Sequence, residues 1–268
     1  MAKKRDELKE EALPFGAGWL PDSPDARDWS ASARFGAPRG LPREALTLWD
    51  HVRRVRDQGP TSSCVGHAIG SGVDVRIRKL GISFYEPSPI GIYTNARTLA
   101  RGERDEKLED VGSFPRLAMK GIRDVGIASE DAVPFDPARV NDELKWSAFQ
   151  DASRLIVFQW YRVYAVGASR SDEVANALAQ GYPVVFGATL DPAFFDSRGA
   201  TIMQWGAEKR GGHMLCLVGY RTRSDGAREF LVLNSWGEGW GAGGYTWIHE
   251  AALGSDRVGD VYALVVSP

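Results

Sequence analysis

Residues 57–68 read DQGPTSSCVGHA and place Cys64, one of two cysteines in the 268-residue chain, directly after a polar turn. Apolar or small residues then recur at spacings of three and four, which predicts a helix that begins at Cys64 with Ser62 or Ser63 as its N-cap. The unpaired N–H groups and the dipole at such a helix end favour a thiolate over a thiol. The stretch therefore indicates a nucleophile, although an unpaired cysteine is more often a small buried apolar residue.

A catalytic thiol needs a base, a group that orients the base, and hydrogen-bond donors for the oxyanion. His213 follows two glycines at the start of the strand-like stretch HMLCLVGY, so its ring can face a cleft. Asn234 ends the apolar stretch FLVL, and its carbonyl oxygen can fix the ring tautomer. Gln58 can fold back across the Gly-Pro turn and donate to the oxyanion together with the backbone N–H of Cys64. Packing, capping or solvated positions are the favoured interpretation for the other three histidines, which are His51, His67 and His249.

Composition divides the chain into three parts. Residues 1–45 begin with a charged stretch that predicts a short helix over 1–12 and continue as an irregular surface segment over 13–42, rich in Pro, Gly, Ala, Ser and Asp. Residues 46–155 carry mainly helical patterns, and residues 156–268 carry mainly strand patterns. The sequence therefore predicts an α+β protein with a helical half, a β half and a cleft between them.

Individual elements follow from the same patterns. The helical half predicts helices from Cys64, around 88–101 and around 113–124. The β half predicts one helix, SDEVANALAQG, with Ser171 as its N-cap and Gly181 as its stop. Six stretches rich in β-branched and aromatic residues predict strands: RLIVFQWYRVYAV, YPVVFGATL, HMLCLVGYR, REFLVLNSW, GGYTWIHEA and DRVGDVYALVVS.

The overall composition excludes several classes of function. A formal net charge of −2 gives no electrostatic basis for binding nucleic acid or an anionic membrane surface, and no run of residues is apolar enough for a membrane span. Two cysteines without a C-x-x-C pair argue against a zinc site or a disulfide framework. The first residues lack the apolar stretch of a secretory signal, so we expect a cytoplasmic protein that needs neither a metal nor a cofactor.

Three stretches, VRDQGPTSSCVGHA, GGHMLCLVGY and LVLNSWGEGWGAGGYTWI, resemble the papain-like cysteine peptidases of the C1 family. The resemblance extends from about Leu46 to the end of the chain. The stretch DVGSFPRLAMKGIRDVGIASEDAVPF is similar to the wall of the family's cleft, and PSPIGIYTNAR and GWLPDSPDARD resemble the bacterial members more closely. The resemblance implies a papain-like two-lobe fold with an N-terminal helical lobe and a C-terminal antiparallel β-barrel-like lobe, with the active-site cleft between them.

The resemblance also implies a role for each matching position. Four positions match the catalytic groups, as nucleophile, base, orienting residue and oxyanion donor respectively: Cys64, His213, Asn234 and Gln58. Four positions match the substrate-binding surface: Gly112, Ser113, Gly212 and Trp236. The family's backbone pairs with an extended peptide at the position of Gly112, and its tryptophan at the position of Trp236 covers the bond between the histidine and the asparagine.

The implied function is a cysteine-type peptidase that hydrolyses peptide or protein substrates through a Cys64 acyl-enzyme. Two alternatives remain: an acyl or peptidyl transferase that uses the same intermediate, and a catalytically silent module that binds peptides. Residues 1–45 lack the family's long helical inhibitory segment, and the sequence leaves open whether they inhibit, anchor or only pack. The positions around the nucleophile also depart from the family, with Val65 where an aromatic residue is usual and Gly212 where an acid or an amide is common.

Overall fold

The structure is a computed structural model that describes residues 15–151 and 157–267, so the helix expected over 1–12 lies outside the described residues. The helices are α1 (Ala31–Phe35), α2 (Cys64–Lys79), α3 (Pro89–Arg101), α4 (Pro115–Val125), α5 (Trp146–Asp151), α6 (Gly167–Ala179), α7 (Pro192–Phe195) and α8 (Glu250–Leu253). The strands are β1 (Glu44–Ala45), β2 (Val157–Arg162), β3 (Val184–Thr189), β4 (Gly212–Thr222), β5 (Arg228–Leu233), β6 (Tyr245–His249) and β7 (Val258–Ser267). Within the described residues, no helix is long and apolar enough to cross a membrane.

Helix α2 is the central element of the helical half. It begins at Cys64, as the sequence predicts, and it lies between α3 on one side and strands β4 and β7 on the other. Ser63 is the residue before the helix, but its hydroxyl lies near the hydroxyl of Thr61 and the ring of His67 instead of capping a backbone N–H. The predicted side-chain cap is therefore wrong, because this hydroxyl has found partners in the loop and in the next helical turn.

The β half is a seven-stranded sheet in which every strand pair is antiparallel. The strand order is β2-β7-β3-β4-β5-β6, with β1 added beside β4. All six predicted strands are present, and the sheet is open because β2 and β6 occupy its two ends. Strand β4 is buried along most of its length since α2 covers it, which explains its nearly continuous apolar sequence. The fold is the expected α+β arrangement of a helical part and an antiparallel sheet.

Helix α6 begins earlier than the sequence predicts. Its N-cap is Val166, so Ser171 lies inside the helix and its hydroxyl donates to Glu250 at 3.3 Å. The buried Arg170 donates to the backbone oxygens of residues 165, 253, 255 and 258, and these contacts hold the first helical turn against the sheet. Tertiary contacts of this kind leave no signature in local sequence, and they override the capping signal.

Candidate active site

Cys64 is the first residue of α2, and its side chain is fully buried. The backbone N–H groups of Val65, Met214 and Gly18 lie within hydrogen-bonding reach of the sulfur. Burial nevertheless raises the pKa of the thiol to about 12, because a thiolate here would be cut off from water. The N–H groups at the helix end lower the pKa, as expected, but burial outweighs them, so the neutral thiol is the stable species in this form of the molecule.

His213 is the second residue of β4 and is completely buried. Its Nε2 lies 2.8 Å from Oδ1 of Asn234. Since a carbonyl oxygen only accepts, Nε2 carries the hydrogen and the neutral ring keeps a lone pair on Nδ1. This Nδ1 atom is buried and has no hydrogen-bond partner within the described part of the chain. Met214 directly follows His213 and its N–H reaches the sulfur of Cys64, so β4 brings the imidazole and the thiol into one part of the cleft.

Trp236 covers the hydrogen bond between His213 and Asn234. Its ring stacks on the imidazole with centroids 4.5 Å apart, and both Trp236 and Asn234 are almost fully buried. Exclusion of water strengthens this hydrogen bond. Burial also lowers the pKa of His213 to about 4, against the opposing effect of the bond to Asn234, so the ring is neutral at physiological pH in this form.

Gln58 connects the loop before α2 to the loop after β5. Its Oε1 accepts from the hydroxyl of Ser235 at 2.6 Å, and its backbone N–H donates to the backbone oxygen of the same residue at 2.8 Å. Its Nε2 donates to the backbone oxygens of Thr61 at 2.7 Å and Gly16 at 3.2 Å. The side-chain amide is therefore held with its N–H groups directed towards the start of α2.

Residues 15–22 lie in the cleft and are called the cleft segment below. Gly18 donates its N–H to the oxygen of Gly212 at 3.0 Å and accepts from the N–H of Ser113 at 2.9 Å. Leu20 donates to the oxygen of the same Ser113 at 3.1 Å. The chain thus pairs with itself at two of the four positions assigned to substrate binding, and the N–H of Gly18 faces the sulfur of the buried thiol.

The remaining two of these positions also contact the cleft segment. The ring of Trp236 stacks on Phe15 with centroids 4.6 Å apart, and its Nε1 donates to the oxygen of Gly16 at 3.2 Å. Gly112 has a φ of +89°, and a Cβ built there would lie 2.4 Å from the oxygen of Gly18. A side chain at this position would therefore collide with the segment.

Two glycines of the cleft segment allow this close approach. A Cβ at Gly16 would lie 1.9 Å from the oxygen of Thr61, and a Cβ at Gly18 would lie 2.0 Å from the oxygen of Ser62. Both contacts are far shorter than van der Waals distance, so these positions require glycine. The composition of this region predicts an irregular surface segment, but residues 15–22 lie in the cleft. The signal that could have revealed this place is the Gly-Ala-Gly run between two aromatic residues, FGAGW.

Two of the other three histidines, His67 and His249, have local partners. The Nδ1 atom of His67 lies 3.1 Å from both the hydroxyl and the backbone oxygen of Ser63, and its ring packs edge-on against Phe135. His249 ends β6 and accepts a hydrogen bond from the N–H of Ala251 at the start of α8. Both rings therefore serve local structure.

The profile described as "Papain family cysteine protease" matches residues 103–259, which is more than half of the chain. The chain belongs to the papain family of cysteine proteases. The matched residues include His213 and Asn234 and begin after Cys64. As a papain-family protein, the chain shares its sequence pattern with several curated proteins.

An uncharacterized peptidase C1-like protein of Acanthamoeba polyphaga mimivirus is 28% identical over 213 residues, which is 76% of this chain and 66% of the relative. Cathepsin K of Mus musculus is 25% identical over 196 residues, covering 73% of this chain and 55% of the relative. The chain thus spans less than two thirds of the length of these relatives.

Solved structures of cysteine proteases have the same fold. Xylellain, a cysteine protease from Xylella fastidiosa, superposes with a TM-score of 0.78 over 98% of both chains at 24% identity. The bromelain protease from Ananas comosus superposes with a TM-score of 0.64 over 85% of this chain and 99% of its own at 18% identity. These likenesses establish the papain-like two-lobe fold.

Proposed function

We propose that the protein is a cysteine-type peptidase with Cys64 as nucleophile, His213 as base and Asn234 as the residue that orients the base. One observation carries this proposal. Asn234 accepts a hydrogen bond from Nε2–H of His213, which leaves the buried Nδ1 without a partner among the described residues, and the next residue of the same strand, Met214, contacts the sulfur of Cys64. A neutral imidazole with a free lone pair in that place can take the thiol proton.

The reaction then proceeds in two halves. Sγ of Cys64 attacks the carbonyl carbon while its proton passes to Nδ1 of His213, and the oxyanion accepts from the amide of Gln58 and the N–H of Cys64. His213 returns the proton to the leaving amine as the C–N bond breaks. Water, deprotonated by the same ring, then hydrolyses the thioester and restores the thiol.

The described form of the molecule is a closed one in this proposal. The cleft segment occupies the backbone positions at Ser113 and Gly212 and the amide of Gln58, which a peptide substrate would need. We propose that residues 1–45 form an N-terminal extension that blocks the cleft until the segment leaves it. Residues 46–155 then supply the nucleophile and residues 156–268 the histidine and asparagine.

A module that binds peptides without turnover is the second candidate, and the filled cleft is the observation that favours it. The discriminating experiment uses the full chain with Gly18→Ala, whose new Cβ would collide with the backbone of Ser62. We expect this variant to cleave a quenched peptide library and to lose that activity on adding Cys64→Ala or His213→Ala. Uptake of the same peptides without cleavage would support the silent module, and ligated products with an added amine would indicate a transferase.

Two finer assignments accompany this proposal. We propose a place among the bacterial members of the family, supported by the pattern GWLPDSPDARD and by the fold shared with xylellain over nearly both full chains. We also propose that the protein works in a reducing compartment such as the cytoplasm, because Cys64 and Cys216 are both free and buried.

A further inference from the structure

The side chain of Trp19 leaves the cleft segment and fills a pocket in the sheet. Three glycines line it, one from each of three neighbouring strands: Gly187 in β3, Gly212 in β4 and Gly259 in β7. A Cβ at Gly187 would lie 2.1 Å from the indole ring, and Cβ atoms at Gly212 and Gly259 would lie 3.1 and 3.2 Å from it. The pocket is therefore formed by bare backbone and has the width of a two-ring side chain.

The pocket also contains a hydrogen-bond acceptor for the indole. Nε1 of Trp19 donates to Oδ2 of Asp260 at 3.0 Å, and this carboxylate is almost fully buried. Asp260 has a φ of +48°, the one positive φ of a non-glycine residue in the described chain. Its other oxygen is fixed by Arg162 at 3.1 Å. The acceptor is thus fixed by Arg162, on a residue whose backbone has a conformation that non-glycine residues rarely adopt.

The charges around the pocket disfavour a cationic side chain of a substrate. With the cleft segment in place, three carboxylates (Asp22, Asp28 and Asp260) face two guanidinium groups (Arg116 and Arg162), with ion-pair distances of 2.6 to 4.0 Å. Departure of the segment removes Asp22 and leaves two carboxylates with two guanidinium groups. The pocket is then neutral overall, and the oxygen that held the indole N–H and the backbone N–H of Asp22 needs a donor.

We propose that this pocket selects the substrate, and that it takes a tryptophan side chain of the substrate whose indole N–H donates to Asp260. The inference rests on the proposed peptidase function and names its substrate class: peptides with tryptophan near the cleaved bond. A shape-matched ring without an N–H leaves the buried carboxylate oxygen unpaired, which typically costs tenfold to hundredfold in specificity. A Lys or Arg side chain finds no net negative charge to bind.

The test uses the full chain carrying Gly18→Ala and Trp19→Ala, which clears the cleft and empties the pocket. One tryptophan is moved stepwise through an otherwise polyalanine quenched peptide, and kcat/KM is measured for each position. We expect one position to raise kcat/KM by about tenfold or more over the alanine peptide. At that position, benzothienylalanine, which matches the shape of tryptophan but has no N–H, should be cleaved at least tenfold more slowly.

A pocket variant and a binding measurement complete the test. Adding Gly187→Ala fills the space of the ring and should abolish the preference for tryptophan, so that kcat/KM for the tryptophan peptide falls to the value for the alanine peptide in the same variant. Separately, free indole should raise the melting temperature of full-length Trp19→Ala more than benzothiophene does, and neither compound should affect the wild type, whose pocket is full.

The outcomes separate the two proposals. Cleavage with no tryptophan preference, or with arginine preferred, would overturn the pocket assignment and leave the peptidase intact. Absence of all cleavage would count against the peptidase, and the indole measurement would still decide the chemistry of the pocket. Equal stabilisation by indole and benzothiophene would refute the role of Asp260.

Discussion

The side-chain amide of Gln58 donates to the backbone oxygen of Gly16 across 3.2 Å. The donor proposed for the oxyanion is therefore occupied by a carbonyl of the same chain, and Trp236 donates to that oxygen as well. A peptide carbonyl reaches this donor only after the cleft segment has moved. The structure thus combines a set of reactive groups with its own blocking segment, and the following experiments examine each separately.

Gly18→Ala in the full chain should activate the enzyme. The new Cβ would lie 2.0 Å from the oxygen of Ser62, so the segment has to leave its place. We expect an increase of at least tenfold in the hydrolysis of a peptide pool. Gly239→Ala is the matched control, since Gly239 has open space around its Cβ position and no positive φ. Equal activity of the wild type and Gly18→Ala would mean that the segment does not obstruct the cleft.

Thiol alkylation as a function of pH should report the closed state. Burial raises the pKa of Cys64 to about 12, so the folded wild type should react with iodoacetamide only in strongly alkaline solution. Gly18→Ala should move this onset to lower pH because water reaches the sulfur. Cys216 is the internal control: burial raises its pKa to about 12 as well, and its sulfur lies beside the middle of α2, 3.5 Å from a Cβ built at Gly72. A shift at both cysteines would indicate general unfolding.

Nitrogen NMR should find His213 neutral with the hydrogen on Nε2. The bond to Asn234 fixes this tautomer, and burial lowers the pKa of the ring to about 4. Because the folded pKa lies below the ordinary value, His213 stabilises the fold fully above about pH 6.5, and this contribution is lost as the pH falls to about 4. Asn234→Ala should lower the pKa further, since the bond favours the charged ring. A ring protonated at pH 6 in the wild type would contradict this arrangement.

Gln58→Ala in the Gly18→Ala background should act on kcat. Loss of one oxyanion donor costs about 10²–10³ in rate. KM should stay nearly constant, because the amide contacts the charge that develops in the transition state. Gln58→Glu, which keeps the shape and loses the N–H donors, should give a similar loss. A change confined to KM would show that Gln58 has only the structural role seen in its bonds to Ser235 and Thr61.

Local patterns suffice to predict the strands and the start of α2, because alternation and three-four spacing depend on neighbours in sequence. The positions of His213 and Asn234 can be predicted for the same reason, since each residue lies at one end of an apolar strand. The onset of α6 is missed, because the contacts of Arg170 with distant backbone decide it.

The cleft segment is missed for a related reason. Gly16 and Gly18 belong to a stretch whose composition predicts an irregular surface segment, yet glycine is required at both because backbone more than forty residues away lies against them. The pocket of Trp19 depends on glycines from three separate strands, and sequence alone does not bring them together. The raised pKa of Cys64 has the same origin, because the cover over the helix end comes from a distant part of the chain.

Closure of the cleft segment should weaken as the pH rises from about 4 to about 6. Asp22 accepts from the hydroxyl of Tyr262 at 2.8 Å and from the N–H of Arg116 at 3.0 Å, but burial and the neighbouring Asp260 raise its pKa to about 6. The closed form therefore holds a proton that the open form releases near its ordinary pKa, and closure is strongest below that value. Because the pKa of Asp22 is about two higher in the closed form than its ordinary value, the closure equilibrium changes by roughly a hundredfold over this pH range. Hydrogen-exchange protection of the Gly18 amide, corrected for intrinsic rates, should fall over this range and then level off. Asp22→Asn should remove the dependence, and protection that increased with pH would reverse the assigned sign.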